Sequence, residues 1–206
     1  MDDPLLHHFD YPLETCFYPL GFALRLRTNS PEIMECARES WGEFRDEFHS
    51  DPLDFCVGVV AVDSPFPQPP VCRSQRHLVT MISDANHYGV CDFAAGFALC
   101  WLTPAILKDR AFLRWFFLEA LAYSLIGHEH LAAVHAACVV KDGHGILLSG
   151  VSGAGKSTLA YACARRGWTY VADDGSFLVR SRPGRVVVGN PYRFRHRATA
   201  AALFPE

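Results

Sequence analysis

The chain has 206 residues, half of them apolar and 20% charged, with 15 Gly and 13 Pro. This composition excludes a disordered tail, a collagen-like repeat and a low-complexity linker, and the length suits one large domain or two small ones with a real core. A formal charge of -3 and an isoelectric point near 6.3 argue against a nucleic-acid binder, which would carry a basic excess.

Residues 1–15 read as a poorly determined lead-in. The acidic start MDDPLLHHFD lacks the basic and apolar regions of a secretory signal, so the expected location is cytoplasmic. From Phe22 to Arg27 the chain alternates like a half-buried strand. Ser30-Pro31-Glu32 then starts a helix expected to run to about Phe48, with Ser as cap and Pro at the first helical position. Leu53–Val62 reads as a strand ending in the Pro-rich segment SPFPQPP. Three short strands are expected over 77–83, 87–93 and 96–102, and Pro104 opens a long helix to about Ile126. Within that helix the very apolar stretch 111–127 contains Arg114 and Glu119. Each would cost about 2.5 to 3.5 kcal/mol at a bilayer centre, so the stretch is a core helix and no membrane partner is expected. Residues 1–130 therefore form an N-terminal α+β module, an antiparallel sheet with two helices.

The pattern changes near 130, and 131–206 is read as a second domain. Ala133–Val140 and Gly145–Ser149 are apolar runs joined by a hairpin signal at Asp142-Gly143. A glycine-rich loop, a helix over 156–166 stopped by Gly167, an apolar strand ending in two aspartates and a hairpin around Arg182-Pro183-Gly184 follow. The eight cysteines show no paired or metal-ligand spacing and read as reduced thiols, mostly in apolar surroundings.

The loop Gly150-Val151-Ser152-Gly153-Ala154-Gly155-Lys156-Ser157 fits GxxxxGK[ST]. Glycines let successive N–H groups turn inward on an anion, Lys156 reaches the outer phosphates, and the Ser157 hydroxyl is suited to Mg²⁺. Such a pattern arises by chance in roughly one 200-residue chain in a hundred, and the flanking strand and helix make chance rarer still. The bland alternative is a glycine turn with an exposed lysine. Asp173 and Asp174 end the next strand, at the edge where ligands bind in open α/β sheets. An isolated Asp pair is usually solvated, but phosphoryl transfer needs a metal-holding carboxylate and a proton acceptor. His135, inside an apolar run, would ordinarily be a core residue; the hairpin lays its strand beside the one feeding the loop.

The order VHAACVV, GILLSGVSGAGKS, ARRGWTYVADD resembles the catalytic domain of HPr kinase/phosphorylase, which is itself similar to the nucleotide-binding part of PEP carboxykinase. The resemblance covers roughly 133–190. It implies a serine kinase using ATP and Mg²⁺, with Gly150, Ser152, Gly153, Ala154, Gly155, Lys156, Ser157 and Thr158 on the nucleotide. Ser157 and Asp174 would hold the metal, and Asp173 would be the base, supported by His135. That family's domain continues past the two aspartates into further sheet, a signature segment for phosphorylase chemistry and C-terminal helices. No counterpart of that segment occurs before Glu206, and 198–203 reads as a helix just starting. The expectation is thus a C-terminally incomplete kinase domain without phosphorylase activity. Residues 1–130 do not resemble that family's N-terminal domain, which points to an acceptor other than HPr: a serine or similar hydroxyl on a protein, peptide or small molecule.

Two other readings stand beside the kinase: a nucleotide-binding regulatory module without catalysis, and an ordinary P-loop small-molecule kinase or ATPase. A homo-oligomer is compatible with all three. Six arginines (180, 182, 185, 193, 195, 197) against one acid after residue 174 read as a solvated basic surface or as phosphate contacts. His7-His8, His128, His130 and His144 show no third ligand at metal-binding spacing.

Overall fold

The computed structural model describes residues 9–180 and 185–189. The chain is mixed α+β and divides into two units, Met1–Glu129 and His130–Glu206.

The first unit is built on a seven-stranded sheet. Its strands are β1 (Leu13–Phe17), β2 (Leu24–Thr28), β3 (Leu53–Val59), β4 (Val71–Gln75), β5 (Leu78–Ile82), β6 (Tyr88–Asp92) and β7 (Phe97–Leu102), in the order β1-β2-β3-β7-β6-β5-β4. The expected antiparallel sheet is corrected: β2–β3 and β3–β7 are parallel. The helix α1 (Pro31–Trp41) carries the chain back between β2 and β3, and parallel neighbours need such a crossover. The β4–β5–β6 meander likewise returns the chain so that β7 runs beside β3.

One sheet face is apolar. Leu24, Leu26, Phe55, Val57, Ala98, Cys100 and Leu102 form a core with Ile33, Ala37 and Trp41 of α1 and with a second helical segment. That segment comprises α2 (Arg110–Leu113), a π-type stretch Arg114–Glu119 and α3 (Ala120–His130). Phe117, Leu118 and Leu121 are fully buried, each worth about 1.5 to 3 kcal/mol. The two charges that interrupt this apolar stretch both meet α1. Arg114 binds Glu39 at 2.9 Å, and the Ser40 hydroxyl donates to Glu119 at 2.8 Å. Among the described residues no helix is long and apolar enough to cross a membrane. The opposite face carries the Arg25–Asp54 pair at 2.7 Å.

Boundaries shifted where side chains compete for the backbone. The Ser30 hydroxyl caps α1 by accepting from the Ile33 N–H, as expected, but α1 ends at Trp41. The long helix does not start at Pro104. Residues Pro104–Lys108 form a 3₁₀ turn, and Asp109 is extended, its carboxylate accepting from the Phe112 N–H to begin α2. The edge strand β4, exposed throughout, has no apolar alternation to announce it. His87, fully buried, joins three segments: Nδ1 donates to Asp84 at 3.0 Å, and Nε2 lies 2.9 Å from the Thr103 hydroxyl, itself 2.6 Å from that of Ser64. Partial burial pulls the Asp84 carboxyl upward, yet the Asn86 N–H and the His87 ring outweigh it and leave it below its ordinary value.

The second unit holds two three-stranded sheets. Strands β9 (Ala136–Lys141), β10 (His144–Ser149) and β11 (Thr169–Ala172) form one, in the order β10-β9-β11. Strands β8 (Leu131–Val134), β12 (Ser176–Val179) and β13 (Val187–Gly189) form the other, in the order β13-β12-β8. The run expected as one strand, 133–140, is split at His135, where the chain leaves one sheet for the other. The hairpin at Asp142-Gly143 has φ of 51° and 77°, the left-handed pair that a two-residue turn of this kind requires. Helix α4 (Lys156–Arg165) packs Ala160 and Cys163 on Ala137 and Val139. It stops in a Schellman turn: the Gly167 N–H donates to Ala164 O and that of Trp168 to Cys163 O, with Gly167 at φ 81°. The turn residues 182–184, the helix expected over 198–203, His7-His8 and four of the six arginines lie outside the described residues.

Candidate functional site

The sheet topology gathers chemistry at one edge. Strand β9 runs antiparallel to both β10 and β11, with Ser149 opposite Ala136 and Ala172 opposite Cys138. The end of β10, the start of β9 and the end of β11 therefore share an edge. The glycine-rich loop, His135 and Asp173-Asp174 follow from those three points.

The loop is shaped by its glycines and its lysine. Gly153 and Gly155 have φ of 87° and 86°, conformations costly for residues with a Cβ. A Cβ on Gly150 would sit 3.2 Å from that of Ala154, so the loop's base is close-packed. Lys156 folds back across the loop and its Nζ donates to Gly150 O at 2.9 Å and to Val151 O at 3.4 Å. Gly155 caps α4 without a side-chain hydrogen bond, leaving the first-turn N–H groups of Lys156, Ser157 and Thr158 with no side-chain cap. Val151, Ser152, Gly153 and Ala154 are exposed and Ser157 and Thr158 half-buried. A ring of backbone, an ammonium held by carbonyls and an uncapped helix start together fit a polyphosphate.

The two aspartates differ sharply. Asp173 is buried, at 6% exposure, beside Tyr170, whose hydroxyl is pushed up to about 12 by burial and by the Asp173 carboxylate. Asp174 is 65% exposed and its Oδ1 lies 3.2 Å from Nδ1 of His135. The imidazole thus meets the second aspartate rather than the first, because each of these residues is the tip of a strand crossover while Asp173 turns inward. Among the described residues no group of three or more His, Cys, Asp or Glu is gathered to hold a metal by itself. Mg²⁺ does not require one, since it is commonly held by one or two carboxylates, water and substrate phosphates. The donor set here, the Ser157 hydroxyl and an aspartate, is of that kind.

The His128 ring stacks on Phe93 at 4.2 Å, and His144 Nδ1 meets Asp142 O at 2.9 Å. The Arg180 N–H donates to His130 O, a strand-end link, and Arg185 is exposed. Two residues at this edge escaped sequence reasoning. Ser176 is fully buried and its hydroxyl donates to Ala136 O at 2.9 Å. Gly189 lies where a Cβ would be 2.6 Å from Ala172 Cβ and 2.7 Å from Val171 O. The first depends on β12 pairing with β8 and the second on β13 lying against β11, contacts between distant segments that no local motif announces. No protein-family model and no curated protein matches this sequence.

Proposed function

We propose that the chain is an ATP- and Mg²⁺-dependent kinase, similar to HPr serine kinase, that transfers a γ-phosphoryl group to a serine or similar hydroxyl of a protein, peptide or small molecule. The observation that carries this reading is the juxtaposition at one sheet edge of the lysine-bridged loop Gly150–Ser157 and the His135–Asp174 pair. The loop N–H groups and Lys156 hold the phosphates, the ammonium exchanging its loop carbonyls for phosphate oxygens. The acceptor oxygen attacks the γ-phosphorus as the bond to the β-phosphate oxygen breaks, and the acceptor proton passes to a carboxylate. Geometry favours Asp174 for that task over Asp173, because a base must reach the acceptor and Asp174 is the exposed one. His135 orients it. Asp173 and Ser157 are then the better candidates for the metal, an exchange of the roles expected from the sequence. Magnesium, when bound, neutralises charge on the β- and γ-phosphates.

Thermal melting with and without Mg²⁺-ATP tests the reading. Nucleotide at about 100 times its Kd contributes about 2.7 kcal/mol. That is about 11 to 22 °C if His130–Glu206 melts as its own unit, and about 5 to 11 °C if the whole chain melts together. Lys156→Ala is expected to remove most of the shift, and Asp174→Asn to keep it while stopping phosphoserine formation, read by mass spectrometry after incubation with ATP and lysate. No shift with any nucleotide would end the proposal. A shift without transfer to any acceptor would favour a regulatory nucleotide-binding module.

A further inference from the structure

We propose that Ser176 is a positioning residue for this site: its hydroxyl fastens together the two strand crossovers that present His135 and Asp174. The effect on turnover rests on the phosphoryl-transfer reading above; the placement of the pair does not.

The chain passes between the two sheets of this unit twice. It leaves β8 for β9 through the single residue His135, and it leaves β11 for β12 through Asp173, Asp174 and Gly175. A crossover of one residue has no ladder of its own, so its side chain is aimed by its two neighbours. Ser176 holds both of them. Its main chain lies opposite Val134 in the β12–β8 register, and its side chain donates to the carbonyl of Ala136. Ser176 also stands two residues after Asp174, so one residue sets the spacing of the two crossovers.

Nothing local asks for serine here. Ser176 is fully buried, and at such a position an apolar residue would satisfy the ladder equally well. A hydroxyl at such a place carries a desolvation cost that only its hydrogen bond offsets. The bond runs from one sheet to the other, and apolar packing cannot replace it. Residues that break a local preference in this way mark sites where a geometry is being held.

The test compares Ser176→Ala, Ser176→Thr and the wild-type chain by two readouts. The first is the His135 ring resonance in histidine-labelled protein, assigned with His135→Gln, with Asp174→Asn marking where the signal lies once the pair is broken. The second is steady-state phosphoryl transfer. For Ser176→Ala the His135 signal is expected to move toward its position in Asp174→Asn. Turnover is expected to fall about 10- to 100-fold, with the KM for ATP within about twofold, the size of effect that a misplacement near 1 Å produces. Ser176→Thr, which keeps the hydroxyl, is expected to restore both. If Ser176→Ala does not fold, Ser176→Cys, close in volume and a far weaker donor, carries the same comparison. An unmoved His135 signal overturns the proposal, as does full turnover in the alanine variant of an active enzyme. A signal that moves as expected in a chain that transfers no phosphoryl group leaves the positioning role standing and removes the kinase reading instead.

Discussion

Replacing Gly189 by alanine places a methyl group 2.6 Å from the Cβ of Ala172 and 2.7 Å from the carbonyl oxygen of Val171. Neither neighbour is the loose end of a long side chain. One is a Cβ and the other is main chain, and Val171 and Ala172 lie in β11, one step before Asp173. Relief requires β13 to move away from β11 or the end of β11 to shift. Overpacking of this kind costs about 1 to 3 kcal/mol. Gly145→Ala serves as the control in the same unit. Its Cβ would meet only the Cys138 sulfur, at the ordinary distance of 3.9 Å, and Gly145 has no positive φ. That substitution is expected to be neutral, or stabilising by about 0.4 to 1 kcal/mol through lost freedom in the unfolded chain. Urea unfolding followed by tryptophan fluorescence, with Trp168 reporting on this unit, measures both variants. If Gly189→Ala is as stable as Gly145→Ala, β13 does not lie against β11 as described, and the reasoning about this edge fails with it.

The acid branch of the pH profile tests the first unit. The Arg25 guanidinium bonded to Asp54 holds that carboxyl below the usual range despite partial burial. A depressed folded-state pKa contributes stability above the unfolded value, near 3.9, that is lost as pH falls through the folded one. The stability gap between wild type and Asp54→Asn should be constant down to about pH 5 and should narrow below about pH 4; a gap that persists near pH 2 refutes the pairing. Thiol labelling tests burial. Burial pushes Cys91 up to about 12 and raises Cys100 well above its usual value. Cys16 and Cys72 should react first with a disulfide reagent at pH 8 and Cys163 next. Cys36, Cys56, Cys91, Cys100 and Cys138 should react only on unfolding. Rapid reaction of any of these five overturns their placement.

Across both units, legibility followed the range of the interactions. The Ser30 cap, the Asp142-Gly143 turn and the alternation of β2 are decided by neighbours in sequence, and each was readable there. The strand directions were not. Alternation says that Leu24, Leu26, Phe55 and Val57 share a face, but it is the same for parallel and antiparallel partners, and only the path through α1 makes β2 and β3 parallel. The edge strand β4 was invisible for a related reason. Exposed on both faces, it has no apolar side to mark it and is held by its ladder to β5 alone.

The candidate site divides along the same physical line. The loop Gly150–Ser157 is legible because backbone that must turn without a Cβ writes glycines into the sequence, as at Gly153 and Gly155. The acid pair is legible as a pair but not as one buried and one exposed carboxylate. Asp173 and Asp174 are neighbours in the bend between β11 and β12, the first buried and the second exposed. Which one is buried depends on how β12 pairs with β8, a strand some forty residues earlier in the chain. The crossover at His135 turns a residue that reads as the middle of an apolar strand into an exposed corner, 61% open, within 3.2 Å of Asp174. The bend of a loop is a local condition and the partner of a crossover side chain a tertiary one, which is why the loop is readable in the sequence while His135, expected beside Asp173, meets Asp174.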